Sequence, residues 1–226
     1  MIKKIIQDFR NMENNYSNKF TGTFTYALRT LILMLFLFSF TNSFAQDPVF
    51  KDPTRLSGQD KKQGAVYKYT NIKEVNGIKV DAIVTLTKIS NAVLETFDNA
   101  TNGNLPDRFQ PEIYNLGANG GYVEFKFEFF ESGTYPDNPK IVTLDKFVLD
   151  VVDLDGSEFF DIDIPSTGSY DLEEESKVTA TKTGTTTRFL GPEDSVNVIS
   201  LLETLYIAKI NLVNISSTTF RLGNTQ

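Results

Sequence analysis

A short acidic stretch offers the clearest opportunity for side-chain chemistry. The sequence VLDVVDLDGSEFFDIDIP, residues 148–165, holds five Asp and one Glu, interleaved with Val, Leu, Ile and Phe. Asp153 and Asp155 are two residues apart, so on an extended backbone both carboxylates leave the same face. Gly156 lets the chain turn, and Glu158 can then fold back towards them.

This spacing is typical of half a calcium-binding loop, because calcium prefers oxygen ligands and such loops alternate acidic residues before a glycine. The distant bidentate Glu of the complete loop pattern is absent. FDNATNG, residues 97–103, is a second oxygen-rich stretch that could complete the shell. The sequence therefore predicts a calcium ion, Ca2+, held by Asp153, Asp155, Glu158 and Asp98. The alternative is a plain hairpin turn, since Asp-Gly is a common tight-turn pair.

Two residue types on which much enzyme chemistry depends are absent. The 226-residue chain contains no His and no Cys. Without His there is no Ser-His-Asp triad and no imidazole base, and without Cys there is no thiol nucleophile, disulfide or thiolate metal site. Zinc is not expected, because its usual nitrogen and sulfur ligands are missing. We therefore expect a protein that is not an enzyme.

Carboxyl and tyrosine side chains leave two other functions open. Two carboxyl groups facing each other across a cleft could hydrolyse a glycoside, but no spacing singles out such a pair. Carbohydrate binding would use exposed aromatic rings, and the chain has no Trp but nine Tyr. A carbohydrate-binding module is the main alternative, although tyrosine also simply suits strands. The tyrosines that could serve are Tyr67, Tyr69, Tyr114, Tyr122, Tyr135 and Tyr170.

Three arginines lie beside a phenylalanine in mixed or polar surroundings. They are Arg108 in RFQPE, Arg188 in TTTRFLGP and Arg221 in TTFRLG. Arginine stems commonly cover apolar surface while the guanidinium stays near water. We interpret all three as structural.

The rest of the chain predicts the elements that position these side chains. From Ala65 onward, short apolar runs are separated by Gly, Asn, Asp and Pro, which is typical of an all-β domain. In GYVEFKFEFFESG, the residues Val123, Phe125, Phe127 and Phe129 alternate with charged residues, as in a strand with one buried face. Four large side chains on one face need an opposing sheet. The sequence therefore predicts an antiparallel β-sandwich, jelly-roll or immunoglobulin-like, with about ten strands.

The remaining predicted strands follow from the same pattern of apolar runs and breaks. Residues 201–212 could form an amphipathic helix, but their β-branched content favours a strand. The predicted strands are 66–71, 80–89, 111–116, 141–152, 159–164, 177–182, 186–190, 205–213 and 218–222.

The N-terminal segment predicts export. Leu31 to Phe40 is an apolar run of ten residues with one Ser, and basic residues precede it. Ser43 and Ala45 are small residues at the positions that a signal peptidase reads. A membrane span needs roughly 20 apolar residues, so residues 1–45 favour a signal peptide over an anchor. Residues 46–64 are polar and predict a linker, and 65–226 predict the sandwich domain.

Export leaves an acidic chain. Removal of residues 1–45 takes away five of the 22 basic and two of the 29 acidic side chains, which leaves a net charge of −10. Such a surface repels nucleic acid and anionic lipid, so neither nucleic acid nor membrane is an expected partner after signal cleavage. An acidic, exported chain without Cys indicates a secreted or cell-surface bacterial protein.

Several motifs of residues 65–223 resemble a β-sandwich module that recurs in large secreted surface proteins of Bacteroidetes. The most specific are DAIVTLTKISNA, RFQPEI, DLDG and TTFRLG. The resemblance implies an adhesin-like or structural role at the cell surface, and no catalytic residue. The partner it implies is a surface glycan, a surface protein or the neighbouring modules of a longer chain.

Overall fold

The computed structural model describes residues 47–99, 107–115, 119–196 and 204–226. All of them belong to one compact unit, Ala45–Gln226. The predicted signal peptide, residues 1–45, lies outside the described residues. None of the helical structure that is described is long and apolar enough to cross a membrane.

The described chain is built almost entirely from strands, which confirms the predicted all-β class. Its only described helical segment is one 3₁₀ turn, Thr204–Tyr206. The thirteen strands are β1 (Thr54–Ser57), β2 (Val66–Val75), β3 (Ile78–Ser90), β4 (Ala92–Thr96), β5 (Glu112–Asn115), β6 (Gly121–Glu131), β7 (Leu144–Val151), β8 (Glu158–Asp163), β9 (Ser169–Asp171), β10 (Thr179–Thr183), β11 (Thr186–Leu190), β12 (Ala208–Ile215) and β13 (Ser217–Asn224).

One layer is a large antiparallel sheet of eight strands in the order β1-β2-β3-β6-β13-β8-β11-β10. The last strand of the chain, β13, lies inside this sheet and pairs on both edges. Phe220 of β13 stands opposite Phe125 of β6 on one side and Ile162 of β8 on the other. The C-terminal residues therefore join the two halves of the sheet.

The second layer consists of two smaller sheets, β7-β12-β9 and β4-β5. Their inward side chains share one hydrophobic core with the large sheet. The ring of Phe129 on β6 lies 5.3 Å from that of Phe147 on β7, and Tyr170 on β9 lies 5.1 Å from Phe189 on β11. Two layers closed on a common core confirm the predicted β-sandwich.

Strand β6 follows the predicted alternation along its length. Val123, Phe125, Phe127 and Phe129 are almost completely buried, while the charged residues between them are half-buried on the other face. Complete burial of one such side chain stabilises a fold by roughly 1.5–3 kcal/mol. This phenylalanine row anchors the large sheet to the second layer.

The described part of the predicted linker, residues 47–64, contacts the sandwich. Phe50 lies in the core, with its ring 5.2 Å from Tyr69 and 5.7 Å from Phe127. Val49 donates a backbone hydrogen bond to Ile72, and β1 pairs with β2. The polar composition misleads because β1 is a wholly exposed edge strand, which forms backbone hydrogen bonds without needing apolar side chains.

The strand limits differ from the prediction mainly in short elements. The strand expected from residue 205 begins at Ala208, because Thr204–Tyr206 forms the 3₁₀ turn. Residues 201–203 of the helix alternative lie outside the described residues. Strands β4 and β9, of five and three residues, were not predicted, since runs this short carry little periodic signal.

Candidate binding cleft between two strand edges

A cleft of about 620 Å³ opens in the second layer of the sandwich. One wall is β5 with the residues before it, and the other is β7 with the chain that follows it. Side chains of the large sheet form the floor, among them Phe127, Phe220 and Leu222. We call this feature the β5–β7 cleft.

The side chains around the β5–β7 cleft combine an apolar floor with charged walls. Tyr114 is 60% exposed and stands on the β5 wall. Among the described lining residues one is basic, Arg108, and four are acidic. These acidic residues are Glu112, Asp150, Asp153 and Glu158.

Glu112 is held in place by its neighbours on β4 and in the following loop. Its carboxylate accepts hydrogen bonds from the Thr96 hydroxyl and from the Asn99 amide, at 2.7 Å for the latter. These hydrogen bonds lower the pKa of Glu112 by stabilising its charged form. A fixed negative charge therefore stands on the β5 wall.

The acidic turn predicted from the sequence joins β7 to β8 at the end of the cleft. Asp153, Gly156 and Ser157 adopt positive φ angles of 67°, 52° and 67°. The Glu158 amide donates to the Asp155 carbonyl at 2.7 Å, and the buried Asp155 carboxylate accepts from the Val196 amide. Asp155 thus stabilises the turn itself, which connects the two layers and is not the hairpin of the alternative prediction, because β7 and β8 lie in different sheets.

Asp153 and Glu158 differ from Asp155 in that both line the cleft. Burial by the cleft walls, with the charge of Asp155 as a smaller cause, raises the pKa of Asp153 to about 6. Burial, followed by the charges of Asp153 and Asp155, raises the pKa of Glu158 to about 7. Solvent still reaches the Glu158 side chain, so the protein around it forms a concave surface that removes only part of its hydration.

Asp98, the fourth predicted calcium ligand, lines a different pocket together with Lys61, Tyr67 and Glu95. Its carboxylate accepts hydrogen bonds from the Tyr69 hydroxyl at 2.6 Å and from the Gln110 amide at 2.9 Å. Burial raises the pKa of Asp98 against the opposing effect of these two hydrogen bonds. Asp98 therefore fixes the Tyr69 hydroxyl within the fold.

The described residues contain no group of three acidic side chains placed to hold a metal ion. Asp153, Asp155 and Glu158 are near enough for their charges to interact, but Asp155 is occupied by the Val196 amide. Calcium binding at Asp153, Asp155, Glu158 and Asp98 stays a prediction.

The structural interpretation of two arginines is confirmed. Arg188 forms a two-pronged ion pair with Asp161, at 2.7 and 2.8 Å, and its guanidinium lies 4.2 Å from the ring centre of Phe159. Arg221 pairs with Glu124 at 2.7 Å. These guanidinium groups tie neighbouring strands of the large sheet together.

Arg108 has a different place, because it lines the β5–β7 cleft. The whole motif RFQPE, residues 108–112, contributes to this wall. The sequence marked the motif as distinctive, but it could not show that the motif faces β7. That relation depends on how the two small sheets sit side by side on the large one.

Only some of the tyrosines proposed for carbohydrate binding are exposed in the structure. Tyr67 and Tyr69 are buried in the core, where the ring of Tyr67 stacks on Phe97 at 3.7 Å. Tyr114 and Tyr170 are exposed, and only Tyr114 is among the described residues of the cleft.

No protein-family model matches the sequence, and no curated protein matches it. Among solved structures, the N-terminal domain of the Streptococcus gordonii adhesin Sgo0707 is similar, with a TM-score of 0.53 and 13% identity over 79% of this chain and 58% of that one. The adhesin domain of PrgB from Enterococcus faecalis is similar in two structures. The DNA-bound structure gives a TM-score of 0.45 and 15% identity, over 73% of this chain and 64% of that one. The other gives 0.41 and 14%, over 79% and 61%.

The structural neighbours are thus bacterial adhesin domains, and identities this low show the fold alone. This chain spans about 58% of the length of the Sgo0707 domain structure.

Proposed function

We propose that this chain is a non-catalytic adhesion module that acts outside the cell and binds its partner in the β5–β7 cleft. The observation that carries the proposal is the cleft itself, whose lining includes the half-buried apolar side chains of Phe109, Ile113 and Leu222. A concave apolar surface with a few charged groups is the usual form of a binding site. The fold that the chain shares with an adhesin domain supports the same role.

Export supports the proposed location. A signal peptide over residues 1–45 would deliver the domain outside the cytoplasm, and the remaining chain carries a net charge of −10. The four acidic residues of the cleft disfavour a polyanion, so nucleic acid is not the partner that we propose. The proposed partner is a surface protein, a surface glycan or a neighbouring module.

The proposal is tested with purified protein coupled to fluorescent beads. We expect the beads to attach to surfaces that carry glycans or extracellular proteins, with no turnover of either. A glycoside hydrolase needs two carboxyl groups in one cleft, one protonated as the acid and one ionised, and this cleft holds several carboxyl groups, so the same protein is incubated with polysaccharides. Hydrolysis of a polysaccharide, or beads that attach no better than albumin-coated beads, would contradict the proposal.

Carbohydrate binding is the second candidate, and the exposure of Tyr114 on the cleft wall favours it. An exposed ring can stack on the apolar face of a sugar. A glycan array probed with the intact protein and with Tyr114→Ala separates the candidates. Hits that disappear in Tyr114→Ala support glycan binding, and an array without hits counts against it.

Calcium is proposed as a stabilising ion of the acidic turn. The support is that Asp153 and Glu158 both lie near Asp155 and lack enough water around them to be fully solvated as charged groups. A divalent cation would relieve the repulsion among these carboxylates.

A further inference from the structure

We propose that the β5–β7 cleft is a slot for one added β-strand, supplied by an extended segment of a partner polypeptide that carries Lys or Arg near one end. This inference rests on the proposed function in taking a macromolecular partner as what is bound. It goes further by naming the partner's chemical class and the way it is held.

Both walls of the cleft are sheet edges. Among the described strands, β5 pairs with β4 alone and β7 pairs with β12 alone. About half of the backbone N–H and C=O groups of an edge strand point away from its single partner. Residues of β5 and β7 line the cleft, whereas no residue of their partners β4 and β12 is among the described lining residues, so we infer that the free sides face the cleft. A strand lying between them could then form hydrogen bonds with both.

The lining is made of continuous chain, as a strand slot requires. Residues 108–114 line one wall and residues 147–154 line the other, without a gap in either run. A pocket for a small molecule is lined by a few convergent side chains. Two unbroken runs of backbone instead offer a repeating series of donors and acceptors.

The size of the cleft fits a short strand. Neighbouring strands are about 4.8 Å apart and stacked sheets about 10 Å apart, so a slot of that cross-section reaches 620 Å³ over about 13 Å. At roughly 3.3 Å per residue, this length holds about four residues. Strand β5 itself has four residues.

The floor sets the side-chain pattern of the added strand. Successive side chains of a strand point to opposite faces, so every second residue would meet the partly exposed apolar groups of the floor, Leu222 and the Phe109 ring that packs on Phe127. The residues between them would face solvent. An occupant with alternating apolar and polar residues fits this environment.

The charges give the slot a direction. Gly121, the first residue of β6 after β5, stands opposite Asn224, and Asn224 stands opposite Glu158. Strand β7 ends at Val151, two residues before Asp153. Asp153 and Glu158 therefore lie at the end of the cleft where β5 and β7 both finish, and a Lys or Arg of the occupant fits there.

Display of random twelve-residue peptides, panned against the full chain, tests this inference. We expect enrichment of sequences that alternate apolar and polar residues and carry Lys or Arg near one end. A selected peptide is then resynthesised with single N-methyl groups, which remove one backbone donor each. Alternate amides of a strand point to opposite sides, so methylation at either odd or even positions inside the four-residue stretch should weaken binding at least tenfold.

Variants of the protein locate the binding. Asp150→Asn and Glu158→Gln remove cleft charges without removing volume, and together they are expected to weaken binding at least tenfold. Ile141→Ala is the matched control, because Ile141 is 70% exposed and is not among the described cleft residues. It should change binding less than twofold.

Three results would overturn the inference. They are a library without enrichment, peptides whose binding survives N-methylation, and peptides insensitive to the charge variants. If methylation weakened binding only at odd positions, or only at even positions, the peptide would bond to a single strand edge. That result would also contradict a peptide bound between β5 and β7. A dimer in sedimentation, abolished by the same variants, would replace the partner by a second copy of the chain. Beads that still attach when the peptide result is negative would leave the adhesion proposal standing while this inference fails.

Discussion

Glu158 combines access to solvent with a pKa raised to about 7, because the cleft walls and two neighbouring carboxylates penalise its charge. Asp153 shares this position with a pKa of about 6. The sequence could predict that these acids lie close together, since their spacing along the chain is short. It could not predict which one holds the turn, because the Val196 amide that binds Asp155 is 41 residues away.

Ionisation of Glu158 is expected to lower stability as the pH rises. A carboxyl whose pKa rises from 4.5 to about 7 on folding contributes stability below pH 4.5, and this contribution is lost as the pH passes through 7. Glu158→Gln should therefore raise the melting temperature at pH 8 and change it little at pH 4. Thermal melts between these values check this, with the exposed Glu74→Gln as the control. A melting temperature of Glu158→Gln below that of the unchanged protein at pH 8 would contradict it.

Added calcium is expected to raise the melting temperature at pH 7, because the ion would offset repulsion within the acidic turn. The double variant Asp153→Asn, Glu158→Gln should lose this response. It leaves the hydrogen bond from the Val196 amide to Asp155 intact, so folding of the turn is not disturbed. Equal melting temperatures in calcium and in EDTA would contradict calcium binding at the acidic turn.

Arg188→Met is expected to destabilise the fold. The change leaves the buried Asp161 without its two-pronged partner, although Arg221 stands opposite Asp161 on β13 and offsets part of the loss. We expect a decrease of about 2–3 kcal/mol in the free energy of unfolding, below the usual 3–5 kcal/mol for a broken buried pair. Denaturant unfolding measures this.

Lys126→Ala serves as the control for the arginine change. It breaks the more exposed pair with Glu128 in the same sheet, and such pairs contribute about 0–1 kcal/mol. Equal effects of the two substitutions would show that the Arg188 pair is not buried.

At the level of the elements, the long alternating runs and several short strands could be predicted from the sequence, whereas β1, β4 and β9 could not. Strand β6 was predicted because its apolar residues recur at every second position over the whole strand. Strand β1 was not, because its four residues are all exposed and depend on pairing with β2. The unpaired edges of β5 and β7 could not be predicted either, because no sequence pattern marks a strand edge that lacks a partner.

Phe50→Ala tests whether the N-terminal segment is part of the folded domain. The ring packs edge-on against Tyr69, Phe127 and Phe147, so its removal leaves a cavity inside the core. We expect a loss of about 3–4 kcal/mol in the free energy of unfolding. Leu56→Ala, on the exposed β1, should change it by less than about 0.5 kcal/mol. A Phe50→Ala effect as small as that of Leu56→Ala would restore the linker interpretation.

For the whole molecule, composition and periodicity were enough to predict a phenylalanine-rich β-sandwich. The arrangement of its strands was not predicted, because β13 reaches the middle of the large sheet only through long-range pairing with β6 and β8. The same long-range arrangement leaves β5 and β7 apart and thereby creates the cleft. The proposed function thus depends on a feature of the assembled fold, while the predicted site depended on a local motif.

Attachment of living cells tests the central claim most directly. The gene is deleted in the producing cell and replaced by the intact chain, by the double variant Asp150→Asn, Glu158→Gln, or by Ile141→Ala. We predict that deletion and the double variant reduce attachment to the same low level, while the intact chain and Ile141→Ala restore it and export is equal for all three. Attachment that is unaffected by deletion, or fully restored by the double variant, would contradict an adhesion module that binds through the β5–β7 cleft.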